Sequence, residues 1–316
     1  MNEITKNCPV CNSPNICLFT NTYDKHYGHS DKNYDAYICK NCNLIFLNPM
    51  ITDEELFVLY PEDYYDTDKI DVNNIIKRNK FASFKNLLLG NKPKDIRKSF
   101  KGKNILDIGV GNCEQLYIFH KKGANAYGTE IRESACKIGE KLGMKISKGT
   151  LLDANYPTDF FDYIRSNHSF EHMTNPKEIL SEINRILKPD GTLFIGVPNT
   201  KSWTFKLFKQ NWYHLTIPFH PFSYNKSNLI MLAKQYGFKV EKIAYNASWV
   251  SFVGGIQIIL NLKNKKKSND GWFWNKFNKV VFHQIARLSN VFHRGDCIEI
   301  TFTKESQPEK HKGKKE

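Results

Sequence analysis

From about residue 101 onward, short apolar runs alternate with segments whose apolar residues recur at helical spacing. The runs predict strands at 104–108, 124–129, 145–147, 161–166, 192–197, 238–245 and 297–303. The intervening segments predict helices at 113–122, 134–142, 176–187 and 225–236. Regular alternation of strand and helix is typical of a mostly parallel sheet covered on both faces. We therefore predict an α/β fold, a Rossmann-like, doubly wound domain. Two C-x-x-C pairs, Cys8/Cys11 and Cys39/Cys42, further predict a small N-terminal zinc-ribbon domain.

The pattern changes at several points and suggests how the chain is organised. Thr52 is a plausible N-cap because three acidic residues follow it, so we predict that a helical region begins there. We expect the following parts: a zinc ribbon at 1–50, a helical connector or lid at 51–100, a catalytic domain at 101–304 with insertions at 199–222 and 248–296, and a disordered Lys-rich tail at 305–316.

Composition sets the general class of the protein. Hydrophobic residues make up 41% and charged residues 25%, as in ordinary globular proteins. No apolar stretch is long enough to cross a membrane, and the first residues, MNEITKNCPVC, lack the apolar segment of a secretory signal. We therefore expect a cytoplasmic protein.

The net charge of +14 raises the question of an anionic partner. A basic run, Lys263–Lys267, precedes the aromatic run at 272–274, so segment 262–274 could contact the anionic inner surface of a membrane. A helix packed on its own domain, with its lysines in water, is the simpler interpretation.

Four cysteines form two C-x-x-C pairs, which in a chain without an export signal favour metal over disulfides. Two such knuckles can close a tetrahedral thiolate site with no open position, so we predict a structural zinc ion. Turn-forming residues such as Asn12 and Asn43 suit the knuckles. The predicted ligands are Cys8, Cys11, Cys39 and Cys42.

The first strand of the α/β region leads into a Gly-rich turn, Asp107-Ile-Gly109-Val-Gly111, and the next strand ends at Glu130. Such a carboxylate can accept both hydroxyls of a ribose. A dinucleotide is the alternative ligand, but Asp107 would repel a pyrophosphate, and Glu114 replaces the third glycine of that motif. A negative charge here would instead attract the ammonium group of S-adenosylmethionine.

These motifs resemble those of class I S-adenosylmethionine-dependent methyltransferases. The N-terminal region resembles a bacterial subgroup with a zinc-binding domain, often associated with surface-polysaccharide or deoxysugar biosynthesis. The matching segments are Cys8-Pro-Val-Cys11, 37–49, 59–65, Asp107–Gly111, 149–154, 161–164, 170–173, 186–191 and 197–199. The resemblance implies that Asp107, Gly109 and Gly111 contact the methionine part of the cofactor and Glu130 the ribose. It also implies that Asp153 contacts the adenine amino group and Asn167 or His168 the sulfonium.

Methyl transfer to a hydroxyl group needs alignment and a base, for which histidine is the natural candidate. If the chain turns helical after 166, His168, Glu171 and His172 share one face. Some quinone-pathway O-methyltransferases bind a divalent metal with Glu, Glu and His at this spacing. Because His168 replaces the first Glu, we treat a metal here as the less favoured alternative. A structural role for Glu171 and His172 is also open.

The aromatic insertion at 199–222 follows a strand end, where ligands bind in open α/β sheets. His220 resembles the catalytic histidine of zinc-bearing sugar C-methyltransferases. Phe219 stands where those enzymes have Glu, which favours O-methylation. The alternative for His220 is a buried packing role. Further candidate contacts with the acceptor are Tyr64, Tyr65, Trp212 and His214.

We therefore expect methyl transfer to a small-molecule acceptor, foremost a hydroxyl of a sugar, nucleotide sugar or glycan precursor. Sugar C-methylation is one alternative. Methylation of RNA held by the zinc ribbon is another, disfavoured because the loop between the knuckles mixes Lys25 and Lys32 with Asp24, Asp31 and Asp35. A ribbon that only binds partners, beside an inactive α/β domain, is a third.

Overall fold

The computed structural model describes residues 4–60, 100–262 and 271–305, and in these ranges seven strands form the main sheet in the order β10-β11-β8-β7-β4-β5-β6. Neighbouring strands from β6 to β8 are parallel, and β11 is antiparallel to both β8 and β10. The strands are β4 (Asn104–Ile108), β5 (Asn125–Glu130), β6 (Lys145–Lys148), β7 (Phe161–Asn167), β8 (Leu187–Pro198), β10 (Phe238–Asn246) and β11 (Cys297–Lys304). The predicted mostly parallel α/β fold is confirmed.

The helices that flank this sheet begin and end where local chemistry predicts. Left-handed glycines follow two of them, Gly143 with φ +80° and Gly237 with φ +75°. Asn225 caps a third by accepting from the backbone N–H groups of Ser227 and Asn228. The helices are α1 (Asp53–Val58), α2 (Glu114–Lys121), α3 (Glu133–Lys141), α4 (Pro176–Ile186), α5 (Trp203–Phe208), α6 (Lys226–Gln235), α7 (Trp249–Asn261) and α8 (Lys276–Val291).

The N-terminal region forms its own sheet, with the order β1-β2-β3-β9 in the described part of the chain. Its strands are β1 (Ile16–Thr22), β2 (Tyr34–Cys39), β3 (Ile45–Leu47) and β9 (Phe222–Ser223). The last strand comes from the aromatic insertion, with Phe46 opposite Phe222. Cys42 and Phe46 are buried in the same apolar core as Leu106. The N-terminal region is therefore built onto the catalytic domain, which the sequence did not predict.

The predicted connector is described only at its start. Thr52 forms a reciprocal capping box with Glu55 at the beginning of α1. The rest of the connector, with Tyr64 and Tyr65, lies outside the described residues, as do Lys263–Lys267 and the tail from 306.

The aromatic run at 272–274 does not present one face to solvent. Trp272 is exposed, whereas Trp274 packs edge-to-face on Trp249 and Tyr213, and Phe273 contacts Phe282. The packing of Phe273 and Trp274 within the domain therefore gives no support to the expected membrane contact. Across the described residues, no helix has both the length and the apolar character needed to span a bilayer.

Candidate functional site

The Gly-rich turn lies between the carboxyl end of β4 and the start of α2. Gly109 has φ +72°, and a Cβ there would lie 2.8 Å from the Cβ of Ser169. The Ser169 hydroxyl donates to the carbonyl of Ile108 at 2.7 Å, which fixes this approach. Glycine is therefore required at position 109 both by its backbone angle and by the neighbouring chain.

Glu130 ends β5 next to this turn and is almost fully buried. Its carboxylate accepts from the backbone N–H of Gly111 at 3.0 Å and from that of Arg132 at 3.2 Å. A carboxylate has about four lone-pair positions, so these two bonds leave capacity for the hydroxyls of a ribose.

Asp107 differs from the sequence-based expectation. Arg165 Nη1 donates to both of its carboxylate oxygens, at 2.9 and 3.0 Å. Burial raises the pKa of Asp107, and the charge on Arg165 opposes that rise. Asp107 is thus paired with Arg165 beneath the turn, and this pairing offsets part of the negative charge that we expected to attract the cofactor.

A cavity of about 150 Å³ opens beside the turn. Its lining includes Gly109 and Glu130, which we predicted to contact the cofactor, and His168 and His172, which we predicted to be catalytic. Tyr60 also lines it. Thr150 and Leu151, from the loop after β6, contribute the opposite wall.

Four predicted cofactor residues, Asp107, Gly111, Asp153 and Asn167, are absent from the described lining of this cavity. Asp153 is not among the described residues that line it; its carboxylate instead accepts from the backbone N–H and the hydroxyl of Thr150, which lowers the pKa of Asp153. Asn167 is also absent from that lining, and its side-chain oxygen lies against Gly196 of β8. Thr150, next to Asp153 in the same loop, and His168, the predicted alternative to Asn167, do line the cavity.

The segment after β7 is not the helix that the spacing suggested. His168 has φ +54°, and only Phe170–His172 forms a 3-10 turn. His168 Nδ1 lies 3.6 Å from Glu171 Oε1, whereas His172 turns away and packs edge-to-face on His220, with ring centroids 4.5 Å apart. The structure thus groups Glu171 and His172 with His220, which comes from the aromatic insertion.

Hydrogen bonds set the tautomers of this histidine pair. His172 Nδ1 lies 2.8 Å from the carbonyl of Phe219, and His220 Nδ1 lies 2.9 Å from that of His214. Since a carbonyl can only accept, each Nδ1 carries the proton and each Nε2 keeps its lone pair. The Tyr60 hydroxyl oxygen, 2.6 Å from His172 Nδ1, then accepts from the same N–H. Burial lowers the pKa of both rings, so both are neutral near pH 7.

Glu171 is the acidic member of the cluster. Burial acts to raise its pKa, but the interaction with His168 opposes burial, and the pKa of Glu171 lies below its usual range. An ionised carboxylate therefore lies next to two neutral imidazoles.

Two residues proposed as acceptor contacts have structural partners instead. Trp212 is buried, and its indole N–H donates to the hydroxyls of Thr204 and Ser251, so packing accounts for it. His214 Nε2 lies 3.2 Å from Asp296 Oδ2, and neither residue belongs to the described cavity wall.

The four cysteines of the two knuckles converge. Cys8 Sγ lies 3.6 Å from Cys42 Sγ, and Cys11 Sγ lies 3.5 Å from Cys39 Sγ. Thiolates bound at roughly 2.3 Å around one tetrahedral ion are about 3.8 Å apart, so the arrangement fits zinc. Asn12 and Asn43, each directly after a pair, have φ of +55° and +58°, as a tight knuckle requires.

The loop between the knuckles is occupied by internal contacts. Asp24 accepts from the backbone N–H groups of His26, Tyr27 and His29, and Lys25 donates to Asn211. These groups are thus used within the fold, which disfavours the loop as a nucleic-acid surface.

Tyr60 and Arg165 are site residues that our sequence analysis did not select. The Tyr60 hydroxyl lies 2.6 Å from His172 Nδ1. Its position next to Pro61 was only a weak indication that Tyr60 belongs to the site, and we favoured Tyr64 and Tyr65 instead. The pairing of Arg165 with Asp107 follows from the parallel register of β4 and β7, in which the two residues are neighbours.

Comparison with known proteins supports the assignment of the α/β domain. A family model described as "Methyltransferase domain" matches residues 78–243, just over half of the chain. An uncharacterized protein of Methanocaldococcus jannaschii is 30% identical over 156 residues, covering 49% of this chain and 67% of that protein. A ubiquinone biosynthesis O-methyltransferase of Thiobacillus denitrificans is 23% identical over 163 residues, covering 47% of this chain and 70% of that protein.

A probable tocopherol O-methyltransferase of Oryza sativa is 30% identical over 112 residues, covering 33% of this chain and 30% of that protein. The chain thus spans between 30% and 70% of the length of these three relatives. Among solved structures, an S-adenosylmethionine-dependent methyltransferase of Archaeoglobus fulgidus is similar with a TM-score of 0.46 and 21% identity, covering 65% of this chain and 88% of that one.

The family match and the seven-stranded fold agree on the nature of the domain, and the family's methyl donor is S-adenosylmethionine. This chain belongs to the methyltransferase domain family and is a class I S-adenosylmethionine-dependent methyltransferase.

Proposed function

We propose that this enzyme methylates a hydroxyl group of a small-molecule acceptor, and that the acceptor is a sugar, a nucleotide sugar or a glycan precursor of surface-polysaccharide biosynthesis. The observation that carries the proposal is the neutral His172 ring on the cavity wall, with its Nδ1–H bound to a carbonyl. Its Nε2 lone pair can take a proton from a hydroxyl group, which must lose that proton during methylation. Two of the similar proteins are named as O-methyltransferases, which agrees with this chemistry.

The cofactor in this proposal occupies the part of the cavity between Glu130 and His168. Glu130 accepts the ribose hydroxyls, the bare backbone at Gly109 admits the methionine part, and Thr150 and Leu151 flank the adenine. The sulfonium then faces His168, and the acceptor enters on the side of Tyr60 and His172. This arrangement provides the in-line approach that methyl transfer requires.

The sugar class rests on the N-terminal region. The four-cysteine cluster and its resemblance to the zinc-bearing bacterial subgroup support it, together with the antiparallel pairing of β3 with β9 from the aromatic insertion. We further propose that the cysteines bind a structural zinc ion, which would stabilise a segment with little core of its own.

Sugar C-methylation remains a second candidate because of one observation. Phe219 is buried and contacts Tyr27 and Tyr60, so it supplies no carboxylate beside His220. Glu171 provides one from another segment, and a carboxylate–histidine pair can abstract a proton from carbon as well as from oxygen.

Turnover of nucleotide sugars in the presence of S-adenosylmethionine tests the proposal. We expect S-adenosylhomocysteine to form and one methyl group to appear on the sugar, on oxygen by NMR. His172→Gln should slow turnover by about 10²-fold or more, with cofactor affinity nearly unchanged. Methylated RNA with unmodified sugars would contradict the proposal, and a methyl group on carbon would select the second candidate.

A further inference from the structure

Three side chains from two distant segments converge next to the cavity. Glu171 and His172 belong to the 3-10 turn after β7, and His220 belongs to the aromatic insertion. One ligand-type atom from each lies within 4.8 Å of the other two. Ligands at roughly 2.1 Å from a shared ion are at most about 4.2 Å apart, so small side-chain adjustments would close the group around an ion.

The two histidines are oriented in the way that metal ligands are. In metal sites, the ring nitrogen that does not bind the ion usually donates to a carbonyl or carboxylate, which fixes the tautomer. Here both Nδ1–H groups donate to backbone carbonyls, those of Phe219 and His214. Both Nε2 lone pairs are consequently available on neutral, buried rings.

The carboxylate of the group has an unused oxygen. Glu171 is 1% exposed, and its Oε2 has no hydrogen-bond partner among the described residues. The hydroxyl of the fully buried Tyr224 likewise has no hydrogen-bond partner among the described residues. Buried polar atoms without a partner are rare and call for a bound ion or water.

We propose that Glu171, His172 and His220 bind a divalent first-row transition-metal ion. Two imidazoles and one carboxylate favour ions from the Mn²⁺ to Zn²⁺ series over Mg²⁺ or Ca²⁺, which prefer oxygen ligands throughout. This set differs from the one our sequence analysis considered, because His220 takes part and His168 does not. This inference rests on the proposed methyl transfer only for its chemistry: a bound ion would lower the pKa of the acceptor hydroxyl in place of His172, whose Nε2 cannot bind the ion and accept a proton at the same time.

Titration with Mn²⁺ of the full-length protein that carries one zinc ion per chain, with excess zinc removed, tests the proposal, because Mn²⁺ has little affinity for a site made of thiolates and excess zinc would compete at the new site. The loss of the free Mn²⁺ signal in electron paramagnetic resonance reports binding without any acceptor. We expect about one Mn²⁺ per chain, and more than tenfold weaker binding in Glu171→Gln and in His220→Gln. His168→Gln and His214→Gln should bind as the unchanged protein does.

Thermal unfolding and zinc content, measured on every variant, show whether the fold is intact. If His220→Gln is misfolded, Mn²⁺ binding by Glu171→Gln, which keeps the side-chain volume, tests the assignment instead. Binding that survives both Glu171→Gln and His220→Gln, or that is lost in His168→Gln but kept in His220→Gln, would overturn the assignment. A protein that binds S-adenosylmethionine but no Mn²⁺ would also overturn it, while leaving the proposed methyl transfer intact.

Discussion

Arg165 donates from Nη1 to both carboxylate oxygens of Asp107, and this ion pair joins strands β7 and β4 beneath the cofactor turn. Asp107 is 1% exposed, and only 17% of the Arg165 side chain is exposed. Removal of Asp107 therefore leaves the charge of Arg165 poorly solvated and without its partner. We predict that Asp107→Ala lowers the free energy of unfolding by about 3 kcal/mol.

A double-mutant cycle measured by urea denaturation checks this pair. Asp107→Ala combined with Arg165→Leu should lose less than the sum of the single changes, because the second change removes the stranded charge. Asp107→Ala should also abolish binding of S-adenosylmethionine, because the turn above it loses its support. Additive effects in the cycle would show that the pair is not coupled.

Gly109→Ala tests the close approach of the turn to the segment after β7. The new Cβ would meet the Cβ of Ser169 at 2.8 Å and would keep a positive φ, so we expect a loss of about 3 kcal/mol and weaker cofactor binding. Gly102→Ala is the matched control, because Gly102 has φ +73° but open space around its Cβ position. It should lose only about 1 kcal/mol and bind the cofactor normally. Equal losses in the two variants would mean that the contact with Ser169 is unimportant.

Zinc analysis by mass spectrometry tests the four-cysteine cluster. We expect about one zinc ion per chain, and near-complete loss of zinc with destabilisation by several kcal/mol in Cys39→Ser. Cys17→Ser serves as the control, because Cys17 lies in β1 outside the cluster, and it should retain its zinc. A purified protein that is folded and free of zinc would refute the site.

His26 predicts a measurable sensitivity to acid. The ring is buried against Tyr213, and burial lowers the pKa of His26 to about 3. The unfolded chain binds a proton on this residue below a pH of about 6.5, whereas the folded chain does not until pH 3 is approached. The contribution of His26 to stability is thus complete above pH 6.5 and declines by about 1.4 kcal/mol per pH unit below it.

Replacement by a ring that does not titrate isolates this effect. Between pH 7 and pH 5, His26→Phe should lose about 2 kcal/mol less stability than the unchanged protein. Parallel curves of unfolding free energy against pH for the two proteins would exclude His26 as the source.

The order of strands and helices could be predicted because each element carries its own signal. The run at Asn104–Ile108 is apolar enough to identify a buried strand, and Gly143 and Gly237 mark helix ends that need a left-handed residue. The two C-x-x-C pairs identified the cysteine cluster because ligand spacing is local to each knuckle.

The partners within the site could not be predicted in the same way. His172 meets His220 only because the aromatic insertion folds back and adds β9 to the N-terminal sheet, a contact without any local pattern. The Gly-rich motif alone likewise did not indicate that Arg165 would form an ion pair with Asp107. That pairing depends on the register between β4 and β7, which is set by the whole sheet.

The central claim is that the cavity bounded by Gly109 and Glu130 holds S-adenosylmethionine, and calorimetric titration tests it most directly. We predict that the unchanged protein binds S-adenosylmethionine and not NAD, and that Glu130→Gln weakens binding more than tenfold by removing an ionised acceptor for the ribose. Binding of NAD in place of S-adenosylmethionine, or S-adenosylmethionine affinity unaffected by Glu130→Gln, would contradict this account of the site.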